Sequence, residues 1–516
     1  MLYFEKADEV FYIVTTDTDT SHEDLQELYR IFKAEHPDKM HMKPYQNGIW
    51  DGYIRFFSFL DQVDEVALAP IGLFKKILNY MINYDIEFEI KNDDWGYPKQ
   101  DLTNFDTWLE ELEQGREKKI SNRDYQYKGV VKSLAMTRNI LVSPTGSGKS
   151  LMMYTYIMWI LEHGLSDTEN VLLVVPSTSL AEQMKGDFIE YGMDPEWIST
   201  IYYGQKKNFK VPVVISTWQS LYKYPTEFFD QFSALLVDEA HKAKSTELVY
   251  IGESCVNARY RLATTGTIQN NKALLWSIMA NFGPVVTTKS TMELVDDGFL
   301  TDFYIRNIIL NWKRDTTGRK KSFNIDGYDE ELEAIITSKD RMTVVVNFIK
   351  NMWENREYDD GTLLVMGKRV QYIEDLYEEL SEVMDEQIFF IHGGVSTELR
   401  SKIIAHVKIH GGIIIANINI MGTGINIPNV FGIIFANPIK SDISILQSIG
   451  RSIRLHASKS LATIFDIVDK IPTGNGDNTV YKWLAGKKET YNREDFKYDE
   501  VEVRATIRTD EDGNVL

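Results

Sequence analysis

Lys149, Asp238 and Glu239 are the residues whose types and settings point most directly to chemistry. Lys149 lies near the end of "LVSPTGSGKS" (Leu141–Ser150), an apolar run that passes into glycines and stops at lysine and serine. Gly146 and Gly148, with Thr145 and Ser147 between and before them, permit a compact loop whose backbone N–H groups converge on phosphate oxygens. The Lys149 ammonium suits the β- and γ-phosphates, and the Ser150 hydroxyl can ligate Mg²⁺. The strict pattern has glycine where Ser143 stands, so this is its looser form. In "ALLVDEAH" an apolar strand delivers Asp238 to its end, where it can hold Mg²⁺ through water, and Glu239 can orient or deprotonate an attacking water. The chemistry implied is hydrolysis of ATP with Mg²⁺. His241 could link this site to "TTGT" (Thr264–Thr267); metal binding by it is disfavoured, because no second histidine or cysteine lies at ligand spacing.

A second cluster comes late. In "QSIGRSIR" (Gln447–Arg454), Arg451 and Arg454 are three apart and share a helical face. An arginine that reaches the γ-phosphate stabilises charge in phosphoryl transfer, by about 10³–10⁵ in rate elsewhere. A surface helix with two salt-bridged arginines is the alternative. It loses ground because this half of the chain has no phosphate loop of its own. The expectation is ATP held between two halves, with the base on one and the finger on the other, so that hydrolysis drives closure.

The elements that must position these residues are legible as two stretches with one grammar. The first contains "NILVSPT", "NVLLVVPS", "VPVVIST", "ALLVDEAH" and "RLATTGT"; the second "TLLVMGK", "IFFIHGG", "GIIIANI", "GIIFANP" and "LATIFDIVD". Near-continuous apolar runs of four to six residues suit strands covered on both faces, hence parallel sheets. Helical patterns such as "SLAEQMKGDFIEYG" and "VQYIEDLYEELSEVM" lie between them, so a doubly wound α/β layer is written twice. In such sheets ligands bind beyond the carboxyl ends of the strands, where the polar residues fall. Residues 1–100 read as a small α+β domain, with strands in "FYIVTTD" and "IEFEIKN", helices in "HEDLQELYRIFKAEH" and "IGLFKKILNYMINY", and strand-like "NGIWDGYIRFFSF". The first α/β layer then covers 101–300, led in by a helical "NFDTWLEELEQGREKKI", and the second 301–485. Residues 486–516 form an extension with a peripheral strand and a frayed tail.

Bulk properties bound the reading. At 516 residues the chain is too long for one ordinary core. Its single cysteine, Cys255, rules out an internal disulfide, so the fold must hold in a reducing compartment. The start, "MLYFEKADEV", does not read as a signal peptide. The longest apolar run, "LMMYTYIMWIL" (Leu151–Leu161), is half a membrane span and reads as a buried helix. A formal charge of −20 counts mildly against a nucleic-acid partner. A basic cleft on an acidic body would answer that objection.

The ordered set "SPTGSGKS", "VVPSTSLAEQ", "ISTWQS", "VDEAH", "TTGT", "ANINIMGTGINIPN" and "QSIGRSIR" resembles the motifs of superfamily 2 helicases and translocases, over about residues 120–470. With "NGIWDGYIRFF" and "VTTKSTMELVDDGFLTDFYI", the layout is similar to phage UvsW-type helicases along nearly the whole chain. The resemblance implies two tandem RecA-like motor domains after a small DNA-substrate-recognition domain, and ATP and Mg²⁺ as cofactors. It implies that Tyr125 and Gln126 read adenine, and that Gly424 belongs to the ATP site. His241, Thr265, Thr267 and Gln447 would couple hydrolysis to strand handling. Pro176, Ser177, Gln183, Thr217 and Gln219 in the first half, and Lys368, Arg369, Thr423 and Asn426 in the second, would track a strand's backbone without reading sequence. Trp50 and Arg55 are candidate contacts for branched DNA, by stacking and phosphate pairing, against a plain packing role.

The function implied is ATP-dependent remodelling of forks, D-loops, R-loops and Holliday junctions in phage recombination, repair and replication. Implied partners are branched, double-stranded or single-stranded DNA, with a phage single-strand binding protein a candidate. A cytoplasmic monomer without membrane association is expected. Rival readings are an RNA helicase of the "DEAH" type, the motor subunit of a restriction or remodelling complex, and a junction-holding or strand-annealing scaffold whose ATP site only switches conformation.

Overall fold

The computed structural model describes every residue except 61–64, 92–96, 98, 117–119, 203–208, 243–244, 269–270, 316–321, 419–426, 441–460, 474–475 and 511. Two compact units emerge, residues 1–144 with 148–289 and residues 145–147 with 290–516. Each contains a seven-stranded sheet.

The first large sheet runs Ile198–Ile201, Val213–Thr217, Asn170–Val175, Phe232–Val237, Tyr260–Thr265, Arg138–Val142 and Val285–Thr287, all parallel. The second runs Ile388–Ile391, Gly412–Asn417, Thr362–Gly367, Val430–Phe435, Leu461–Lys470, Asp302–Arg314 and Tyr498–Ile507, again all parallel. Numbered along the chain within each sheet, both follow the order 3-4-2-5-6-1-7. The central strands are buried at every position, as strands covered on both faces must be, even where they carry Arg138, Asn139 or Arg261. These are two RecA-like layers of one topology. The peripheral strand expected in "EVRATI" belongs to Tyr498–Ile507, which pairs along ten residues of Asp302–Arg314 and takes the seventh-strand place at the sheet's edge.

The small amino-terminal sheet is mixed, in the order Ser58–Phe59, Val66–Pro70, Phe11–Thr16, Leu2–Lys6, Phe88–Ile90. Helices Asp19–Ile31 and Phe74–Asn83 belong to the same domain. The reading of "HEDLQELYRIFKAEH" as one helix needs correcting. The helix stops at Ile31, Phe32 turns into the core, and Lys33–Glu35 pairs with Tyr53–Arg55 as a ribbon. Helical periodicity could not show this, because the ribbon's partner lies about twenty residues away.

This domain shares one apolar core with the first large sheet. Trp276, on helix Lys272–Phe282, meets Phe32 and Phe56 with ring centroids 5.8 and 5.7 Å apart. Gly72 lies so close to the same helix that a Cβ there would fall 2.0 Å from the Met279 carbonyl oxygen, which excludes any side chain. At the foot of the phosphate-loop strand, buried Arg138 donates to the Glu9 carboxylate (2.7 Å) and carbonyl (3.0 Å). The strand that carries the glycine turn is therefore anchored at its start by the small domain.

Candidate ATP site and strand-tracking residues

Strand Arg138–Val142 feeds the glycine turn, and helix Lys149–His163 leaves it. Gly146 and Gly148 have φ of +86° and +80°, where a Cβ is strained. Gly148 is also the helix N-cap and offers no side-chain cap, so the first helical amides stay available for an anion. A Cβ on Gly148 would sit 2.3 Å from Nε2 of Gln126, a second reason for glycine. Lys149 donates to the carbonyls of Ser143 and Pro144, at 3.2 and 3.3 Å, which keeps the ammonium over the loop. The helix behind buries every residue from Leu151 to Ile160, so the apolar run is a core helix. Among the described residues no helix is long and apolar enough to cross a membrane.

The acidic pair stands two strands away. Val237 pairs with Ala263 in parallel register, so the next residues, Asp238 and Thr264, emerge side by side. Thr264 donates to Oδ1 of Asp238 at 2.6 Å, and the Glu239 amide donates to the same oxygen at 2.8 Å. Burial, then the neighbouring Glu239 charge, push the Asp238 carboxyl up to about 6, against the pull of Lys149. A divalent cation would relieve that cost, and the donors here, Asp238 and Ser150, are the hard oxygens Mg²⁺ prefers. These residues therefore fit Mg²⁺ with a nucleotide phosphate. Glu239 itself is held at φ +51°, a left-handed conformation that a glutamate adopts only under constraint.

His241 joins this pair to the next strand. Its Nδ1 lies 2.7 Å from Oγ1 of Thr265 and 3.4 Å from the Glu239 carboxylate. Thr265 in turn donates to the Thr267 carbonyl at 2.8 Å. Three of the residues expected to couple hydrolysis to strand handling, His241, Thr265 and Thr267, are thus joined in sequence by hydrogen bonds, with the Glu239 carboxylate beside the His241 ring. Burial holds the His241 imidazole down to about 4, so it is neutral at pH 7. The unfolded chain protonates near 6.5, so the stability carried by neutral His241 is complete above that pH and is lost as pH falls towards 4. Urea unfolding between pH 7.5 and 4.5 should show about 2–3 kcal/mol more acid loss in the wild type than in His241→Gln. Parallel curves would mean that the histidine is not buried in its neutral form.

Tyr125 and Gln126 open helix Asp124–Met136, and both are buried. The Gln126 side-chain oxygen Oε1 accepts from the Arg123 backbone amide at 2.8 Å, and the Tyr125 hydroxyl accepts from the Arg123 guanidinium at 3.4 Å. The glutamine is fixed by a capping bond and pressed on Gly148, so an adenine would meet a pre-set amide. Arg123, and the bond from Thr264 to Asp238, escaped the sequence reading. Register alone could have found the bond, because the Thr264 strand is the neighbour of the one ending at Asp238.

The strand-tracking candidates fall at the carboxyl ends of adjacent strands. Thr217 ends a strand whose partner ends at Val175, so Pro176 and Ser177 lie beside it. Ser177 caps helix Thr178–Glu190 by accepting from Leu180, and Gln183 lies one turn on. Thr217 donates to Ser220, and Gln219 is exposed. In the second unit, exposed Lys368 and Arg369 follow strand Thr362–Gly367, with Asn417 bonded to the Lys368 carbonyl at 2.9 Å. Trp50 donates from its indole to the Tyr53 carbonyl and packs edge-on to His36, and Arg55 is paired with Asp51. Both are occupied in holding their own turn. Thr423, Gly424, Asn426, Gln447, Arg451 and Arg454 lie outside the described residues.

Two family models match the chain: "Type III restriction enzyme, res subunit" over residues 107–270 and "Helicase conserved C-terminal domain" over 340–456. The chain is 30% identical to the ATP-dependent DNA helicase uvsW of Enterobacteria phage T4 over 455 residues, 86% of this chain and 87% of that one. The chain belongs to the UvsW family. A crystal structure of T4 UvsW superposes with a TM-score of 0.50 at 26% identity, covering 98% of this chain and 99% of that one. UvsW-type architecture thus extends through the small domain, beyond the two matched helicase segments. A DNA 3′-5′ translocase, XPB2 of Sulfurisphaera tokodaii, is 30% identical over 43% of this chain and 46% of its own. A type I restriction HsdR fragment from Vibrio vulnificus, 16% identical with a TM-score of 0.56 over 93% of this chain and 84% of its own, shares the fold.

Proposed function

We propose that this chain is an ATP-dependent DNA helicase that remodels branched DNA, namely forks, D-loops, R-loops and Holliday junctions, in phage recombination, repair and replication. The observation that carries this reading is the likeness to UvsW through the amino-terminal domain as well as the motor. Residues 1–100 serve substrate recognition, 101–300 and 301–485 are the motor layers, and 486–516 extend the second.

In this scheme the loop amides and Lys149 bind the phosphates, Ser150 and Asp238 hold Mg²⁺, and Glu239 orients the attacking water and takes its proton. The metal neutralises charge on the phosphates when bound. Arg451 and Arg454 stabilise the charge that develops at the γ-phosphate, and Gly424 lines the nucleotide. The His241–Thr265–Thr267 path, with Gln447, reports the state of the site to the strand-tracking residues: Pro176, Ser177, Gln183, Thr217, Gln219, Lys368, Arg369, Thr423 and Asn426. These are mostly hydroxyl, amide and main-chain donors, which hold a phosphate backbone with few cations and so suit an acidic protein. For Arg55 to meet a DNA phosphate it must exchange Asp51 for it.

The test is ATP turnover and strand release on labelled forks, four-way junctions, plain duplex and RNA. Branched DNA should stimulate turnover most. Stronger stimulation by RNA would favour the RNA-helicase reading, and binding without turnover the scaffold reading.

A further inference from the structure

The hydroxyl of Ser150, the metal-ligating serine of the reading above, lies 3.1 Å from the hydroxyl of Tyr191, the residue that closes helix Thr178–Glu190. From this we infer that Tyr191 is a latch that holds the Ser150 hydroxyl away from the metal position, so that loading Mg²⁺ with a nucleotide requires breaking this bond. The inference rests on the ATP-site assignment, and it adds a positioning residue that none of the sequence motifs contains.

The geometry says which partner moves. The Tyr191 ring is wedged: it meets Tyr154 edge-on at 5.5 Å and 70°, and the Arg116 guanidinium covers the other ring of that pair at 5.1 Å. Arg116 and Tyr154 are themselves buried. Gly192, at φ +107°, turns the chain directly behind, where a Cβ would lie 3.5 Å from the Tyr154 hydroxyl. The phenol is therefore fixed by its surroundings, whereas a serine side chain has one torsion and little to hold it. Ser150 sits in the first turn of its helix, one residue after Lys149, so rotation about that torsion is enough to redirect its oxygen. Metal binding then competes with one neutral hydrogen bond, whose net worth corresponds to a factor of about 2–10 in an equilibrium constant.

The experiment measures binding of a fluorescent ADP analogue to the full chain, in excess Mg²⁺ and in EDTA, for wild type, Tyr191→Phe and Tyr154→Phe. Tyr191→Phe keeps the ring and removes only the hydroxyl. It should bind the analogue about 2–10-fold more tightly than wild type in Mg²⁺ and equally in EDTA. Tyr154→Phe, which leaves Ser150 untouched, should match wild type in both. Unchanged or weaker binding of Tyr191→Phe in Mg²⁺, or an equal gain in EDTA, overturns the latch. Failure of wild type to bind the analogue in either condition overturns the ATP-site assignment instead, so the two failures are separable.

Discussion

Glu239→Gln should bind nucleotide and branched DNA as the wild type does, and hydrolyse ATP about 10²–10⁴-fold more slowly. The amide keeps the size and hydrogen-bonding reach of the carboxylate but cannot accept a proton from water. It should also leave the fold unchanged. The backbone at this position is left-handed, and glutamine is as strained there as glutamate, so no energy is released or added at the turn. Removing the Glu239 charge withdraws one of the two influences that raise the Asp238 carboxyl, so metal binding should not suffer. Lys149→Ala is the contrasting variant, because it removes the cation that faces the phosphates and should lose nucleotide affinity as well as turnover. Stopped ATPase assays with forked DNA, alongside gel-shift binding to a four-way junction, separate the two. Strand separation by Glu239→Gln at anything near the wild-type rate would remove Glu239 from the chemistry and revive the scaffold reading.

What could be read in the sequence was what short-range physics dictates. The apolar runs of the central strands became buried parallel strands, because a sheet covered on both faces takes mostly apolar residues on either side. The glycine turn was legible because two left-handed positions and a bare helix N-terminus leave few alternatives to glycine. Contacts that depend on register or on distant chain were not legible. Thr264 reaches Asp238 only because two strands align at Val237 and Ala263. The docking of the small domain depends on Trp276 and Gly72, residues over two hundred positions apart, and neither looks unusual in its own neighbourhood. Tyr191 likewise looks like the end of an amphipathic helix until its hydroxyl is found on Ser150.

These long-range contacts change how the site is understood. The phosphate-loop strand begins at Arg138, which is clamped by Glu9 of the small domain, and just past its end the Ser143 amide donates to the Thr265 carbonyl. Thr265 is also the hydroxyl that meets His241. One strand therefore joins the amino-terminal domain, the loop and the coupling path within a single packed body. Rigid contacts of this kind fix the donors in advance, which is how a phosphate site gains strength without paying for reorganisation during turnover.

Asp238→Asn should make the nucleotide-free protein more stable while abolishing its turnover. Both internal bonds to this side chain, from Thr264 and from the Glu239 amide, end on Oδ1, and an asparagine carbonyl can accept both. The substitution therefore exchanges only the other oxygen for an amide nitrogen, which cannot ligate Mg²⁺. The stability gain follows from the raised carboxyl. The folded protein holds a proton up to about pH 6 that the unfolded chain releases near 4, so the wild type loses stability as pH rises between those values. Above pH 6 the full cost of a buried carboxylate is present, and asparagine removes it. Urea unfolding without Mg²⁺ at pH 8 should favour Asp238→Asn by about 1–3 kcal/mol, and the advantage should fade towards pH 4. With Mg²⁺ and ADP added the order should reverse, because only the wild type gains the binding energy of the metal complex. An asparagine variant less stable than wild type at pH 8, or an advantage that does not change with pH, would show that Asp238 is not a carboxylate kept in readiness for a cation.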